Sequence, residues 1–202
     1  MLTIALPKGR IADETLALFE KAFNEKFVFE DRKLILEKNN FRFLNVRNQD
    51  VPTYVMHGSA DLGVVGLDVL EEKNYELIRL LDLKLGICKV AIGLKAGTQI
   101  DWSKSEIKVA TKHEKIAKNY FETKAMAVEI IKLYGSIELA PLVGLSDCIV
   151  DIVETGSTMK QNGLEIGETI MNSSAHLIAN SNSYYGKKTA ILELKQKLEK
   201  LI

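Results

Sequence analysis

The sequence predicts an α/β protein with two lobes of mixed, mostly parallel sheet and flanking helices. Three observations indicate this architecture. Short apolar runs alternate with helical patterns, the alternation comes in two series, and β-rich segments near residues 80–94 and 165–180 join the series. We therefore expect one lobe to comprise residues 1–86 and 172–202, with a second lobe, residues 87–171, inserted into it. A cleft between two such lobes is a natural ligand site, and we expect the active site there.

The first series of alternating strands and helices begins near the first residue. In chain order, we expect strands at residues 2–6, 33–37, 41–46 and 60–66, and helices at 13–23, 50–58 and 67–73. Asp13 and Asp50 are the expected N-caps of the first two helices. The strands at 33–37 and 41–46 predict a hairpin that turns at Asn39-Asn40.

The second series begins after a long β-rich segment that ends near residue 97. We expect strands at residues 106–111, 127–133 and 148–153, helices at 113–122, 137–145 and from about 156, and extended segments across 165–181. The chain closes with a helix over 187–202. This helix is amphipathic, because Ile191, Leu194, Leu198 and Leu201 form one stripe.

The charge balance excludes several classes of partner. The chain has 27 basic and 27 acidic residues, so no global field attracts nucleic acid or a membrane surface, and we expect neither as a partner. No apolar run approaches the about 18 residues of a membrane span. Cys88 and Cys148 lie in apolar runs and do not make a disulfide framework, which favours a cytoplasmic protein. The three histidines lack the spacing of a zinc site.

The segment "CIVDIVETGSTMKQNGL", residues 148–164, carries the strongest chemical signal. An apolar strand containing Asp151 and Glu154 runs into a turn of small residues: Thr155, Gly156, Ser157 and Thr158. Hydroxyls and amides at a helix start can hold a phosphate monoester, and the carboxylates can accept hydrogen bonds from sugar hydroxyls or hold a divalent cation. A ribose 5-phosphate offers both a phosphate for the turn and hydroxyls for the carboxylates. An ordinary strand–helix junction with a hydroxyl N-cap remains the alternative from these residues alone.

Other predicted strand ends also carry charged residues or glycine. Lys8, Gly9 and Arg10 follow the first strand in "LPKGR", and Arg47 follows the strand at 41–46. Ligand sites of α/β proteins cluster at such strand ends. The joint pattern suits a substrate with several phosphates.

Four segments together resemble one enzyme family. They are "LPKGR", "RNQDVPTYVMHGSADLGVVGLDVLEE", "LGICKVA" and "GSIELAPLVGLSDCIVDIVETGSTMKQNGL". In this order and over essentially the whole chain, they resemble ATP phosphoribosyltransferase, in its short form without a C-terminal histidine-binding domain. The resemblance implies a fold similar to type II periplasmic binding proteins. It also implies attack of N1 of ATP adenine on C1 of phosphoribosyl pyrophosphate, with Mg²⁺ required and pyrophosphate released, as the first step of histidine biosynthesis.

The resemblance assigns roles to individual residues. It implies that Thr155, Gly156, Ser157 and Thr158 hold the 5-phosphate, and that Asp151 and Glu154 hold ribose hydroxyls, with Mg²⁺ bound mainly through the substrates. It implies that Lys8, Gly9, Arg10 and Cys88 face ATP or pyrophosphate. It adds Arg32, Arg47 and Glu138 to Arg10 and Asp151 as catalytic residues, with Arg32 reaching the leaving group across a dimer interface.

The resemblance also implies partners. We expect ATP and phosphoribosyl pyrophosphate as substrates, a regulatory subunit resembling histidyl-tRNA synthetase, and a homodimer of catalytic chains within a hetero-oligomer. Two alternatives stay open at this point. One is a non-catalytic two-lobed sensor of an anion or nucleotide, and the other is a related phosphoribosyltransferase acting on another base.

Overall fold

The computed structural model describes residues 1–202, which form two compact units. The first unit comprises Met1–Gly86 and Ser174–Ile202, and the second comprises Ile87–Ser173. The boundary after Gly86 coincides with the expected one. The boundary after Ser173 lies two residues beyond the expected one, because a long strand of the second unit continues to Ser173.

Eleven strands and seven helices make up the two units. The strands are β1 (Leu2–Pro7), β2 (Ile35–Lys38), β3 (Phe41–Val46), β4 (Leu62–Gly66), β5 (Ile78–Asp82), β6 (Cys88–Lys95), β7 (Glu106–Thr111), β8 (Ala127–Lys132), β9 (Cys148–Val153), β10 (Leu164–Ser173) and β11 (Ala175–Ala179). The helices are α1 (Arg10–Phe23), α2 (Val51–Met56), α3 (Leu67–Lys73), α4 (Glu114–Thr123), α5 (Ser157–Gln161), α6 (Ser181–Gly186) and α7 (Lys188–Glu199). None of the helices combines the length and the apolar character needed to span a bilayer.

Each unit has its own mixed sheet. The first sheet has the order β2-β3-β1-β4-β11-β5, and the second has the order β10-β6-β9-β7-β8. Only four of the nine strand pairs are parallel, namely β1–β3, β1–β4, β7–β8 and β7–β9. The expected mixed α/β fold is confirmed, but the expectation of a mostly parallel sheet is wrong. The β2–β3 hairpin and the strands by which the chain enters and leaves the second unit add antiparallel pairs.

The predicted hairpin is confirmed in detail. Lys38 pairs with Phe41, which leaves Asn39 and Asn40 as a two-residue turn. Both asparagines have positive φ angles, 50° and 61°. A turn with φ above zero at both central residues matches the twist of the flanking strands, and asparagine tolerates this conformation better than most residues.

Several helix ends differ from the sequence-based expectation. Helix α1 begins at Arg10 with Gly9 at the N-cap, so Asp13 lies in the first turn and is not the cap. Asp50 precedes α2 but makes no capping hydrogen bond with its side chain, because a 3₁₀ turn over Asn48–Asp50 leads into that helix. The expected helix at 137–145 is only a 3₁₀ turn, Ile137–Leu139. Leu201 follows the end of α7 and is 43% exposed, so it does not join the buried stripe of that helix.

A cluster of aromatic rings fills the core of the first unit. Phe19 of α1 is fully buried and makes edge-to-face contacts with Phe27, Phe41 and Phe43 at centroid distances of 6.1, 5.4 and 5.1 Å. Such pairs contribute roughly 0.5–1.5 kcal/mol each beyond the area they bury. They pack α1 against β3 in the interior of the first unit.

Candidate active site

The segment of residues 148–164 begins with β9, a central strand of the second sheet, and continues past the end of that strand. Strand β9 is hydrogen-bonded to β6 on one side and to β7 on the other. It runs parallel to β7, with Thr111 opposite Val150. Because parallel strands end at the same edge of a sheet, the residues after Thr111 and Val150 share that edge.

A tight turn connects β9 to α5. Gly156 is the N-cap residue of α5 and has φ +81° and ψ 0°, a conformation that glycine adopts without strain. A Cβ atom there would lie 2.5 Å from Cδ1 of Ile166. The hydroxyls of Thr155 and Ser157 are hydrogen-bonded to each other at 2.9 Å. The turn therefore brings two exposed hydroxyls together beside a bare backbone.

The helix after the turn is too short to have the macrodipole of a long helix. Helix α5 has only five residues, Ser157–Gln161, and its single buried side chain is Met159. The macrodipole of a long helix is therefore not available at this position. An anion here would be held by hydroxyls and backbone amides.

Asp151 is the more enclosed of the two acids in the segment. Its side chain is 14% exposed, and its Oδ1 atom accepts a hydrogen bond from the Ile152 amide at 2.8 Å. The ammonium of Lys112, the first residue after β7, lies 3.1 Å from the same oxygen. Lys112 is not among the site residues predicted from the sequence. Its signal was its position after a predicted strand, like that of Lys8.

One cavity gathers most of the predicted site. It measures about 430 Å³ and lies within the second unit. Its lining residues are Glu138, Asp151, Ile152, Val153, Glu154, Thr155, Gly156, Ser157, Thr158 and Met159. Glu138 reaches it from the 3₁₀ turn Ile137–Leu139, where Ile137 is buried and holds the turn in place. Glu138 is distant in sequence, and the structure places it in the same cavity as Asp151, Glu154 and the turn of residues 155–158.

The predicted basic residues lie in the first unit. Lys8, Gly9, Arg10 and Arg47 lie at the end of the paired parallel strands β1 and β3, where the Lys8 amide donates to the Val46 carbonyl at 2.8 Å. Gly9 has φ 96° and ψ −151°, a region open essentially only to glycine. Nη1 of Arg10 lies 3.2 Å from Oε1 of Glu14, one helical turn later.

Arg32 lies in the loop between α1 and β2 and shares a second cavity with Lys8. This cavity measures about 640 Å³ and is also lined by residues 29–34 and Asn45. Arg32 has φ +59°, which is uncommon for a residue with a long side chain. Cys88, the first residue of β6, is partly buried and lines neither of these two cavities.

The resolved pKa shifts occur outside the cavity. Burial, with a smaller contribution from the charge of Asp147, raises the pKa of the Cys148 thiol to about 12. Burial also acts to raise the pKa of Asp82, but hydrogen bonds from Lys84 and Ser174 outweigh it and lower that pKa to about 2. The carboxylate of Asp61 is likewise desolvated, yet hydrogen bonds from Lys187, Thr3 and Ser183 lower its pKa.

The chain is similar to proteins of one family over most of its length. The family profile described as HisG, ATP phosphoribosyltransferase, matches residues 47–200. A protein of Wolinella succinogenes with the name ATP phosphoribosyltransferase is 67% identical over 201 residues, which cover 100% of this chain and 98% of that protein.

Solved structures agree with this similarity. The ATP phosphoribosyl transferase (HisG:HisZ) complex from Thermotoga maritima contains a chain with a TM-score of 0.85 and 38% identity, covering 99% of this chain and 98% of that one. The aliphatic sulphonate binding protein SsuA from Escherichia coli, a periplasmic protein, has a TM-score of 0.64 at 14% identity, with coverage of 98% and 71%. The expected likeness of fold to periplasmic binding proteins is therefore confirmed.

Proposed function

Since the chain belongs to the ATP phosphoribosyltransferase (HisG) family, we propose that the cavity lined by Glu138 and residues 151–159 binds the phosphoribosyl donor of that reaction. The enzyme joins N1 of the adenine ring of ATP to C1 of the ribose of phosphoribosyl pyrophosphate. It releases pyrophosphate and forms N1-(5-phosphoribosyl)-ATP, the first step of histidine biosynthesis.

One observation carries the assignment of the donor site. The cavity combines a hydroxyl-bearing turn, suited to a phosphate monoester, with the carboxylates of Asp151 and Glu154, suited to ribose hydroxyls. A ribose 5-phosphate needs these two kinds of group next to each other. Thr155, Gly156, Ser157 and Thr158 hold the 5-phosphate in this proposal, and Asp151 and Glu154 accept hydrogen bonds from the ribose.

The chemistry requires no activated side-chain nucleophile, because N1 of the adenine is itself the attacking atom. As pyrophosphate departs, positive charge develops at the ribose and negative charge on the leaving group. The protein contributes position and electrostatic stabilisation. The carboxylates of Asp151 and Glu138 face the ribose side, and Glu138 lies next to the adenine or ribose.

The basic residues of the first unit serve the phosphates in this proposal. Lys8, Gly9 and Arg10 bind the triphosphate of ATP or the pyrophosphate, and Arg47 lies at the same end of the sheet. Arg32 neutralises the leaving group from across a dimer interface. Cys88 lines the ATP site.

The donor set suits Mg²⁺ held mainly by the substrates. No group of three or more His, Cys, Asp or Glu side chains is arranged to hold a metal by itself. Mg²⁺ usually takes one or two carboxylates together with substrate phosphates and water. Asp151 and Glu154 are the carboxylates that would reach it, and when bound it would neutralise charge on the pyrophosphate.

Partner subunits complete the proposal. The Thermotoga structure is described as a HisG:HisZ complex, and its 38% identity to this chain supports a similar regulatory subunit here. We infer a homodimer of short-form catalytic chains within such a hetero-oligomer, acting in the cytoplasm. The close relatives support an enzyme of this specificity over a sensor or a transferase acting on another base.

The test is an assay of the purified chain with ATP, phosphoribosyl pyrophosphate and Mg²⁺, with and without a HisZ-type subunit. We expect the absorbance of an N1-alkylated adenine to appear together with pyrophosphate. Folded protein that produces neither compound in either mixture would rule out the proposal.

A further inference from the structure

Lys112 and Asp151 form an ion pair at the edge of the second sheet. Lys112 follows β7 and Asp151 lies in the neighbouring parallel strand β9, one residue after the partner of Thr111. The Nζ–Oδ1 distance is 3.1 Å. The lysine side chain is 38% exposed and the aspartate side chain 14%, so the ammonium approaches a largely enclosed carboxylate from the solvent side.

The cavity that we assign to the phosphoribosyl donor, lined by Glu138 and residues 151–159, has acidic but no basic side chains. The cavity is lined by the carboxylates of Glu138, Asp151 and Glu154, and none of its lining residues is basic. A donor that carries three phosphoryl groups would meet like charge there, and like charges at short range oppose binding. A cation beside the cavity would offset this repulsion, and Lys112 is paired with one of the lining carboxylates.

The chemistry of lysine allows it to exchange partners. Its ammonium is a compact charge with three donors on a flexible four-carbon chain, so it can move between neighbouring oxygens. Asp151 cannot move in the same way, because its Oδ1 atom also accepts the Ile152 amide. When a ligand arrives, the lysine is therefore the partner free to change its hydrogen bond.

We infer that Lys112 is a binding residue for the phosphoribosyl donor. Without the donor, its ammonium neutralises Asp151. With the donor bound, Asp151 accepts hydrogen bonds from the ribose, and Lys112 donates to a phosphate oxygen. The inference rests on the proposed function, since it requires the donor to occupy the cavity at residues 151–159.

A purely structural ion pair predicts different behaviour. A partly exposed pair contributes little to stability, and its loss would affect ligand binding no more than the loss of any nearby surface charge. Lys108 provides the matched control. It lies in β7 itself, and its ammonium is 3.4 Å from Oε2 of Glu129, which does not line the cavity. Its side chain is 55% exposed, against 38% for Lys112.

The experiment compares Lys112→Met, Lys112→Arg and Lys108→Met in the active complex. Titration calorimetry gives the Kd of phosphoribosyl pyrophosphate, and steady-state kinetics give KM for both substrates. We expect Lys112→Met to raise the donor Kd and KM about 10- to 100-fold, the range for one hydrogen bond to a charged group. KM for ATP should change less than about 3-fold, and Lys112→Arg should recover most of the donor affinity because it keeps the charge.

Three outcomes would overturn the inference. They are a Lys112→Met donor Kd equal to that of Lys108→Met, equal losses for donor and ATP, and no recovery in Lys112→Arg. Circular dichroism confirms that each variant is folded, and the arginine variant provides the comparison if the methionine variant is unstable. If the unaltered enzyme neither binds the donor nor forms product, the proposed function fails, which is a distinct result from normal donor affinity in Lys112→Met.

Discussion

Ile166 closes the space beside Gly156. A Cβ atom on that glycine would lie 2.5 Å from the Cδ1 atom of Ile166, and the glycine backbone has φ +81°. Both the space and the backbone conformation therefore favour glycine in the turn that we assign to the 5-phosphate.

Gly156→Ala should weaken binding of the phosphoribosyl donor more than binding of ATP. The added methyl group displaces the turn or Ile166, and a residue with a Cβ costs about 1–2 kcal/mol in the left-handed conformation. We expect a several-fold increase in KM for the donor with little change in KM for ATP, measured by steady-state kinetics. Equal increases for both substrates would argue against this turn as the phosphate site.

Gly163→Ala is the matched control for backbone strain. Gly163 has φ +72°, but a Cβ atom there would meet no atom within 4 Å. The Gly163→Ala variant should lose a similar free energy of unfolding, without a selective increase in KM for the donor. Shortening the obstructing side chain in Gly156→Ala/Ile166→Ala should recover donor affinity if the steric contact is the cause.

Arg32→Ala and Arg32→Gly should lower turnover to the same extent. Both remove the guanidinium that we assign to the leaving group, and loss of one stabilising donor commonly lowers kcat about 100-fold. Since Arg32 has φ +59°, the glycine variant should unfold with a free energy about 1 kcal/mol higher than the alanine variant. Arg42→Ala, which alters an exposed arginine paired with Glu37, is the control. Unchanged kcat in Arg32→Ala would mean that the leaving-group role is wrong.

The two cysteines should differ in reactivity. Burial raises the pKa of Cys148 to about 12, so its thiolate is scarce at neutral pH, whereas Cys88 is only partly buried. A thiol reagent followed by mass spectrometry should modify Cys88 first, and Cys88→Ser should abolish the fast phase. Saturating ATP should slow the labelling of Cys88. An unchanged rate would remove Cys88 from the ATP site.

Asp61 should contribute stability that is lost in acid. Its carboxylate is 9% exposed and accepts hydrogen bonds from Lys187 at 2.7 Å, the Thr3 amide at 2.8 Å and Ser183 at 2.8 Å. Burial opposes ionisation, but these bonds outweigh it and hold the pKa below the unfolded value of 3.8. The contribution is therefore complete above about pH 4 and disappears as the pH falls through the lower folded pKa.

Urea unfolding of Asp61→Asn tests this expectation. The variant should be about 1–3 kcal/mol less stable at pH 7, and the difference should shrink as the pH falls below 4. Glu199→Gln alters an exposed carboxylate paired with Lys195 and should change stability by less than about 0.5 kcal/mol. A deficit in Asp61→Asn that is the same at pH 7 and pH 3 would contradict the assigned origin.

Local rules predicted much of the fold. Adjacent asparagines between two apolar runs predicted the hairpin correctly because the turn type depends on the residues within it. Strand direction was predicted less well, since antiparallel neighbours such as β6 and β10 come from segments about 70 residues apart and no local pattern records that pairing. The 137–145 segment has helical composition, but its helix is only one turn, so tertiary context overrides the pattern.

The candidate site was predictable where its residues are contiguous. The acids and the turn of residues 151–158 come from one segment, and the structure keeps them together in one cavity. Glu138 came from the family resemblance, and its place in that cavity depends on the fold of a distant segment. Lys112 was missed because a single lysine after a strand is common, and only the pairing of β7 with β9 brings it to Asp151.

A crystal structure of the enzyme with phosphoribosyl pyrophosphate tests the central claim most directly. We predict that the 5-phosphate lies within hydrogen-bonding distance of Thr155, Ser157 and Thr158, with the ribose hydroxyls on Asp151 or Glu154. A donor whose 5-phosphate lies on Lys8 and Arg32 instead, with the turn empty, would contradict the account.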